Sequence, residues 1–532
     1  MIPKPHPPSA DPLTAPRLLR PTGRWALALA TAALITVGLS AQPAQAVPYP
    51  AVPTGVKLTA VSPTSLTVSA NRATGASGYR LYGSTTKSAV YVANLAQARR
   101  STVSPSPKVT LGGLAYTSAT YYYRYATVSS AGMRYSDILS ANLRPGTPTS
   151  PKAQSSGAGN LVTWTSGAAL GFRIAVATNT AMTQGRFTHT ISSQARQYTP
   201  YGLKKGTRYY FRVEAINGTS GSAYSSTVSV VAATHEQSVR VMTYNILEAN
   251  TAGIVEGDGP LATWAQRRAG VVRLIRAASP DVLGVQEAAA WMTSVQGYGG
   301  KRQVDDLAGL LKSSSTLPKY TLATTEVPPS QRGYFRTAQH ILFKESVYAA
   351  SGAGGHWNVG TAGTAHWAAY QVLKNRQSGA RFLFVSVHLS PLSGAAGDKV
   401  RQTETTSLIR QASALAASQH VPVVYSGDFN SHNGSNHPLN GPGVAFRAAR
   451  ATDALEVAQY RLNFPVNSAN QNVRVALASG LSIDHVYAPA GVALRSWRLG
   501  AELKNGSYVG TIPSDHNPLA VDVSFPFGAS QS

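Results

Sequence analysis

Cysteine is absent from this chain of 532 residues. Thiol nucleophiles, disulfide bonds and zinc sites built on cysteine are therefore excluded. A protein without disulfides must be stabilised by its hydrophobic cores. With 43% hydrophobic residues, the chain is long enough to build more than one core. We expect two to four domains.

Acidic residues are scarce, since 22 Asp and Glu stand against 47 Lys and Arg, for a net charge of +25. The imbalance is concentrated in residues 47–235, where 18 basic residues accompany only Asp137 and Glu214. Residues 236–532 hold 25 basic and 19 acidic residues. A positive field attracts polyanions such as nucleic acid, anionic polymers and anionic cell surfaces. The same charge also keeps an exported protein soluble, so both interpretations stay open.

Long apolar runs are missing except near the N-terminus. There, Trp25–Leu39 follows Arg20 and Arg24 and precedes Ala44-Gln45-Ala46. A basic flank, a short apolar run and a small-x-small end are typical of a secretory signal peptide, which predicts cleavage near Ala46. The alternative is a membrane anchor, for which the run is short. We expect a secreted (extracellular) protein, with residues 1–46 as signal peptide and no transmembrane segment in its mature form.

Residues 50–235 are rich in Thr, Ser, Val and Tyr, in short alternating segments that predict half-buried strands. The pattern of Tyr121–Val128 returns one domain length later in Tyr209–Val213, which indicates tandem modules over 50–145 and 148–235. With Trp164 on an early strand, the pair resembles fibronectin type III domains. This resemblance implies two all-β sandwiches, although Ala70 stands about where the first module would have its core tryptophan. We assign these modules no catalysis.

Residues 236–532 alternate between predicted strands and helices, which indicates an α/β domain. The predicted strands are Arg240–Asn245, Val282–Gln286, Arg381–His388 and Val421–Ser426. The predicted helices are Leu261–Ala278 and Arg401–Ala417.

Four motifs lie in order along this last domain: Thr243–Leu247, Pro280–Glu287, Gly427–Ser431 and Ser514–Leu519. As an ordered set they resemble the endonuclease/exonuclease/phosphatase superfamily, which includes deoxyribonuclease I-like enzymes. The resemblance implies a four-layer α/β sandwich after the two β-sandwiches. It also implies hydrolysis of phosphodiesters with Mg²⁺ or Mn²⁺.

Several polar side chains end predicted strands, where loops gather. Hard divalent ions prefer carboxylate, amide and water oxygens, and phosphodiester hydrolysis needs a cation, an activated water and a stabilised leaving oxygen. Asp428 and Asn430 are two apart on an extended segment, so both project to one side. His388 ends an apolar strand, where it could donate to a phosphate oxygen or protonate a leaving group.

The resemblance assigns a role to each of these side chains. Glu287, Asp515 and Asn245 would hold the metal, and Asn245 and Asn430 would bind the phosphate. Asp428 would position or deprotonate the attacking water, and Asp484 would orient His516. His485 stands where the family usually has an aromatic residue, whereas Arg401 and Asp453 are interpreted as structural.

Three other functions compete with that of an exported nuclease whose basic modules retain a polyanion or a cell surface. A sphingomyelinase-type lipid phosphodiesterase would need an exposed apolar hairpin, but residues 352–363 are rich in glycine. An inositol-phosphate phosphatase would carry motifs that are absent here. A non-enzymatic adhesin would not need the complete set of candidate ligands.

Overall fold

The structure, a computed structural model, describes most of the chain after residue 46. The described ranges are 47–114, 120–156, 159–217, 220–232, 235–288, 302–323, 338–360, 366–432 and 440–527. The predicted signal peptide, residues 1–46, lies outside them. Within these ranges, no helix is both long enough and apolar enough to span a bilayer.

The first module is built from two small antiparallel sheets that enclose a core of buried aliphatic and tyrosine side chains. Ala70 packs against this core, which is filled largely by Tyr79, Tyr123 and Tyr125 instead of a tryptophan. One sheet contains Lys57–Val61, Leu66–Ser69 and Lys108–Leu111. The other contains Arg99–Arg100, Gly78–Ser84, Tyr121–Ser129, Gly132–Tyr135 and Leu139–Ala141.

The second module repeats the two-sheet arrangement around Trp164, which is buried and meets Phe172 edge to face at 5.3 Å. The hydroxyl of Tyr209 accepts a hydrogen bond from the backbone N–H of Lys204 (3.0 Å) and so closes a corner, as in fibronectin-type sandwiches. One sheet contains Thr149–Ser156, Gly159–Thr165 and Gln197–Tyr198. The other contains Gly171–Ala177, Phe187–Ser192, Arg208–Asn217, Ser220–Gly221 and Val228–Val231.

The C-terminal domain contains two large mixed sheets. The eight-stranded sheet runs in the order Tyr320–Leu322, His340–Lys344, Val282–Gln286, His235–Asn245, Leu519–Phe527, Ser496–Leu499 and Tyr460–Leu462, with Ala493–Leu494 beside Leu519–Phe527. The six-stranded sheet runs in the order Tyr348–Gly360, His366–Asn375, Arg381–His388, Val423–Asp428, Asp484–Pro489 and Ala451–Asp453.

The two sheets pack face to face, and helices cover both outer faces. Between the sheets, Gly284 lies so close to the opposite sheet that an added Cβ would be 2.8 Å from the Ser386 hydroxyl. Trp264–Ala278 and Gln303–Lys312 cover the larger sheet, and Gly394–Gln419 and Gly441–Ala448 cover the smaller one. The predicted fold class, two β-sandwiches followed by a four-layer α/β sandwich, is confirmed.

The strand directions explain why the predicted site residues meet at one edge. His235–Asn245 runs parallel to Val282–Gln286, and Arg381–His388 runs parallel to Val423–Asp428, so each pair ends together within its sheet. The hydrogen bond from Asn245 to Asp428 brings the ends of the two pairs to the same edge. Asp484 pairs with Asp428 at the start of an antiparallel strand. Likewise, residues 514–516 precede Leu519, which pairs with Thr243. We call this edge the catalytic rim.

The second module contacts the C-terminal domain at the edge remote from the rim. The side-chain amide of Gln197 donates to the carbonyl of Arg450 (2.7 Å), and the backbone N–H of Gly202 donates to Glu236. Glu236 lies one residue from the start of the strand His235–Asn245, about 30 Å from its rim end. The two domains also share one continuous hydrophobic core. The domain limits at residues 145, 148 and 235 stay predictions.

Candidate active site

Asn245 and Glu287 occupy neighbouring positions on the rim. The Asn245 side-chain amide is fully buried and donates to Glu287 Oε1 (2.9 Å) and to Asp428 Oδ2 (3.2 Å), so it joins the two sheets. Glu287 has a left-handed φ of 54°. A left-handed backbone costs a residue that has a Cβ atom about 1–2 kcal/mol, and strain of this kind clusters at functional sites. This backbone conformation directs the Glu287 carboxylate, which is 28% exposed, toward the rim.

Asp428 lies at the centre of the site and is buried. Its Oδ2 atom is 3.5 Å from His388 Nε2 and 3.6 Å from His516 Nε2, and its Oδ1 accepts from the backbone N–H of Asn430 (2.8 Å). Burial raises the pKa of Asp428, but the two histidines and the hydrogen bonds outweigh burial and hold it below its usual value. Asp428 is therefore a carboxylate surrounded by donors.

Gly427 allows this arrangement, because its strand lies very close to the strand that ends at His388. A Cβ on Gly427 would be 2.1 Å from the carbonyl oxygen of Val387. Beyond it, Asn430 (φ 49°) turns its side-chain nitrogen to within 3.0 Å of His388 Nε2 and donates to the carbonyl of Leu389. The motif Gly427–Ser431 thus positions three of the predicted side chains.

His516 is held between two carboxylates. Its Nδ1 lies 2.8 Å from Asp484 Oδ2, while its Nε2 faces Asp428. Burial lowers the pKa of His516, but Asp484 and Asp428 more than reverse this and raise it well above its usual value. The two carboxylates therefore favour the protonated, imidazolium form of the ring. Asp428, Asp484 and His516 offer ligand atoms all within 4.8 Å of one another, which is also a geometry that could hold a metal ion.

Asp515 lies on the side of the rim that carries Glu287. The hydroxyl of Ser514 donates to the carbonyl of Asn245 (2.7 Å) and is 3.2 Å from Asp515 Oδ1, so it ties the last motif to the first. Burial, together with the charges of Glu287 and Glu256, raises the pKa of Asp515 to about 6, against the opposing effect of His516. Negative charges are therefore concentrated at this end of the rim.

The structure brings all eight predicted site residues to the catalytic rim, where their roles stay predictions. It also adds Glu248, which the sequence reasoning missed. The backbone N–H of Glu248 donates to Glu287 Oε2 (3.3 Å), and burial, aided by the charge of Glu287, raises the pKa of Glu248. The signal for it was its position three residues after Asn245, immediately after the first motif.

Arg267 was also missed, because its role is visible only in the fold. It is 1% exposed, and its guanidinium donates to the carbonyls of Ile246 (2.5 Å), Leu247 (2.6 Å) and Glu248 (2.9 Å). Burial lowers the pKa of Arg267 to about 10. This side chain holds the loop after Asn245 in place.

Arg401 and Asp453 have the structural positions that the sequence indicated. The guanidinium of Arg401 donates to the carbonyls of Ser390 and Leu392, and so holds the loop that follows His388. Asp453 Oδ2 lies 2.7 Å from Nδ1 of His485, which is fully buried. His485 thus takes the place of the expected aromatic as a core residue, in a second His–Asp pair.

Comparison with known proteins gives matches over two parts of the chain. The Endonuclease/Exonuclease/phosphatase family matches residues 242–516, and the Fibronectin type III domain matches residues 146–231. None of the curated proteins gives a match.

Similar solved structures cover the C-terminal half. An endonuclease/exonuclease/phosphatase family protein from Bacteroides thetaiotaomicron is 18% identical (TM-score 0.42; 55% of this chain, 100% of that chain). A mannosyl-6-phosphatase from the same organism is 18% identical (TM-score 0.40; 54% and 99%). The D. rerio protein TDP2, complexed with a single-strand DNA product, is 15% identical (TM-score 0.36; 54% and 99%). These likenesses identify no substrate.

Proposed function

Because this chain belongs to the endonuclease/exonuclease/phosphatase family, whose members hydrolyse phosphoesters, we propose that it is a divalent-metal-dependent phosphodiesterase acting on nucleic acid. The observation that carries the proposal is the convergence of four motifs on one rim. There, the buried carboxylates of Asp428 and Asp484 lie on either side of His516. Other carboxylates, including that of Asp515, lie near Glu287. Residues 1–46 further support the proposal that the enzyme is exported.

The oxygen ligands at the Glu287 end of the rim fit a hard divalent cation. Glu287, Asp515 and the amide of Asn245 supply oxygen ligands, and Mg²⁺ or Mn²⁺ takes such ligands together with water. The raised pKa of Asp515, to about 6, reflects burial and carboxylate repulsion that a cation would relieve. When bound there, the ion would supply Lewis-acid stabilisation of charge on the phosphoryl oxygens.

The remaining groups account for the other needs of the reaction. The protonated His516 and the side chains of His388 and Asn430 would donate to phosphoryl oxygens or to the leaving oxygen, which stabilises developing negative charge. Asp428, with a pKa below its usual value, is better suited to accept a hydrogen bond from the attacking water and orient it than to remove its proton completely. Asp484 keeps the His516 ring oriented and charged.

Nucleic acid is favoured as substrate by charge. The two modules carry 18 basic and two acidic residues, and they belong to the same compact unit as the catalytic domain. Cations of this density attract a phosphate polymer through counterion release, which gives binding a strong salt dependence.

One observation favours a second candidate, a lipid phosphodiesterase. Ile254 and Val255 are 56% and 76% exposed. Val255 belongs to a short hairpin, Ile254 precedes it, and Glu256 of the same hairpin lies near enough to raise the pKa of Asp515. Exposed aliphatic side chains next to a catalytic rim are suited to contact with a lipid surface.

An assay panel on the full chain tests both candidates. Plasmid DNA, RNA, sphingomyelin vesicles and bis(p-nitrophenyl) phosphate would each be incubated with Mg²⁺, with Mn²⁺ and with excess chelator. We expect hydrolysis of nucleic acid that chelation abolishes, and a Glu287→Gln variant at least about 100-fold less active. Glu502→Gln, which alters an exposed carboxylate paired with Arg273, is the matched control and should stay active. Full activity in chelator would refute the metal mechanism, and preference for vesicles would favour the lipid candidate.

A further inference from the structure

A cleft of about 530 Å³ lies between the second module and the catalytic domain, away from the catalytic rim. One wall is the outer face of the sheet that contains Thr149–Ser156 and Gly159–Thr165. The other wall is the segment that follows the helix Gly441–Ala448. Gln197 bridges the walls by its hydrogen bonds to Arg450 and Thr452. The cleft is therefore a gap with fixed walls.

Its lining is strongly cationic. Four basic residues line the cleft, Lys152, Arg196, Arg447 and Arg450, whereas Glu456 is the one acidic residue among the lining residues. Arg196 is occupied, because it donates to the carbonyls of Ser193 and Ala195. The other three are exposed and come from both walls, so their positive charges line the same gap and would attract an anion into it.

Glu456 can offset at most one of these positive charges. Its carboxylate is buried and lies 3.9 Å from Arg447 Nη1, beyond hydrogen-bond distance. Burial and the nearby Asp453 raise the pKa of Glu456 to about 7, so it carries only part of a negative charge at neutral pH. The exposed side chains of the lining thus offer mainly positive charge.

The cleft lies at a distance from the rim that a polymer can bridge. Arg450 precedes Ala451, which pairs with Pro489 at the far end of the strand that begins at Asp484. Five residue steps along this strand correspond to about 17 Å. This is about five base steps of a nucleic acid duplex.

We propose that this cleft is a second binding site, an exosite that takes a phosphodiester segment of the polymer whose scissile bond lies at the catalytic rim. The inference rests on the proposed function for the identity of the polymer. Lys152, Arg447 and Arg450 contact its phosphates, and the polar sheet face accommodates the sugar backbone. The volume exceeds that of a single phosphate and suits a short stretch of backbone.

The test measures binding separately from hydrolysis. Fluorescence anisotropy in excess chelator would follow a labelled 16-nucleotide single strand on the full chain. The variants are the double substitution Lys152→Ala/Arg450→Ala and its charge-matched control Lys204→Ala/Lys205→Ala, on an exposed turn of the same module outside the cleft. We expect binding about tenfold weaker for the cleft variant, and a salt slope smaller by about 1.4 because two phosphate contacts are lost. A dinucleotide, which cannot span the cleft and the rim at once, should bind weakly to all three proteins and with a much smaller difference between them.

Equal losses in both double variants would overturn the exosite and leave only a diffuse field. Unchanged binding in the cleft variant would overturn it as well. Turnover of bis(p-nitrophenyl) phosphate with Mg²⁺ separates the two proposals, because it needs the rim and not the cleft. Loss of polymer binding with normal turnover of the small diester supports the exosite. If nucleic acid binds through the cleft but is never cleaved, the proposed substrate is wrong while the binding site stands.

Discussion

Replacing Asp484 by Asn is the most direct test of the proposed chemistry, because it removes one charge and keeps the side-chain shape. The hydrogen bond from His516 Nδ1 to Asp484 (2.8 Å) is the shortest contact of the imidazole. A hydrogen bond between charged groups contributes about 1.5–3 kcal/mol. At 1.36 kcal/mol per pKa unit, its loss should lower the pKa of His516 by about one to two units.

The assay is the pH dependence of kcat/KM for a small phosphodiester. If protonated His516 acts as a donor, the alkaline limb of the profile moves to lower pH by that amount. At a pH above the new limb, the rate then falls by about 10- to 100-fold. Folding stability changes too. The pKa of His516 is raised in the folded state, so its contribution is complete below the unfolded pKa near 6.5 and is lost as pH rises through the folded pKa. The stability deficit of Asp484→Asn should therefore be largest at or below about pH 6.

The chain provides a matched control. Asp453 and the buried His485 form a second His–Asp pair (2.7 Å), and the pKa of His485 is likewise raised, because Asp453 outweighs the lowering by burial. Asp453→Asn should lose stability at low pH in the same way, but leave the alkaline limb in place. If both variants shift the limb equally, or if folded Asp484→Asn keeps the parent profile, His516 is not the donor.

Three further outcomes are expected. His388→Ala and His516→Ala should each lower kcat/KM by about 100-fold or more. The double variant should be far less than multiplicatively worse, because both rings contact Asp428. Near-normal turnover of His388→Ala would make that residue structural. Arg267→Met should lower the free energy of unfolding in urea by about 3 kcal/mol or more, because it leaves buried carbonyls without a donor. Relative to the parent, Glu456→Gln should gain up to about 3 kcal/mol in free energy of unfolding between pH 5 and pH 8. The parent loses stability as pH rises above the unfolded pKa of Glu456, because folding raises that pKa to about 7. An equal difference between the two proteins at pH 5 and pH 8 would contradict this.

The sequence predicted two of the four strands that deliver the site residues with their observed bounds, whereas the strands predicted over Arg240–Asn245 and Val421–Ser426 extend over His235–Asn245 and Val423–Asp428. Val282–Gln286 and Arg381–His388 have the predicted bounds, because an apolar run between polar ends defines a buried strand. The helix predicted over Arg401–Ala417 extends over Gly394–Gln419. Its first turns contain two glycines and no acidic residue before Asp398, so local propensity hides its start.

Most of the site could be predicted because its residues stand in shared motifs or, like His388, at the end of an apolar strand. Asn245, Glu287, Asp428 and His516 stand in strings that the superfamily shares, and chain order alone indicates that they meet. Arg267 stands in no such string, because its function is to satisfy carbonyls that converge only after folding. Glu456 and Arg447 likewise become notable only when a second domain packs beside them.

Capture and catalysis are separated in space, and this separation determines which experiment can distinguish them. The second module meets the catalytic domain at an edge remote from the rim, so its charge would act on a polymer and not on the scissile phosphate. Deleting residues 47–235 is the simplest way to try to separate the two functions. However, the second module and the catalytic domain share one hydrophobic core, with Val492 and Leu494 buried in it. Truncation would expose that core and destabilise the enzyme. Charge substitutions within the intact chain therefore test the role of the modules, whereas loss of activity on truncation would be expected whether or not the modules bind substrate.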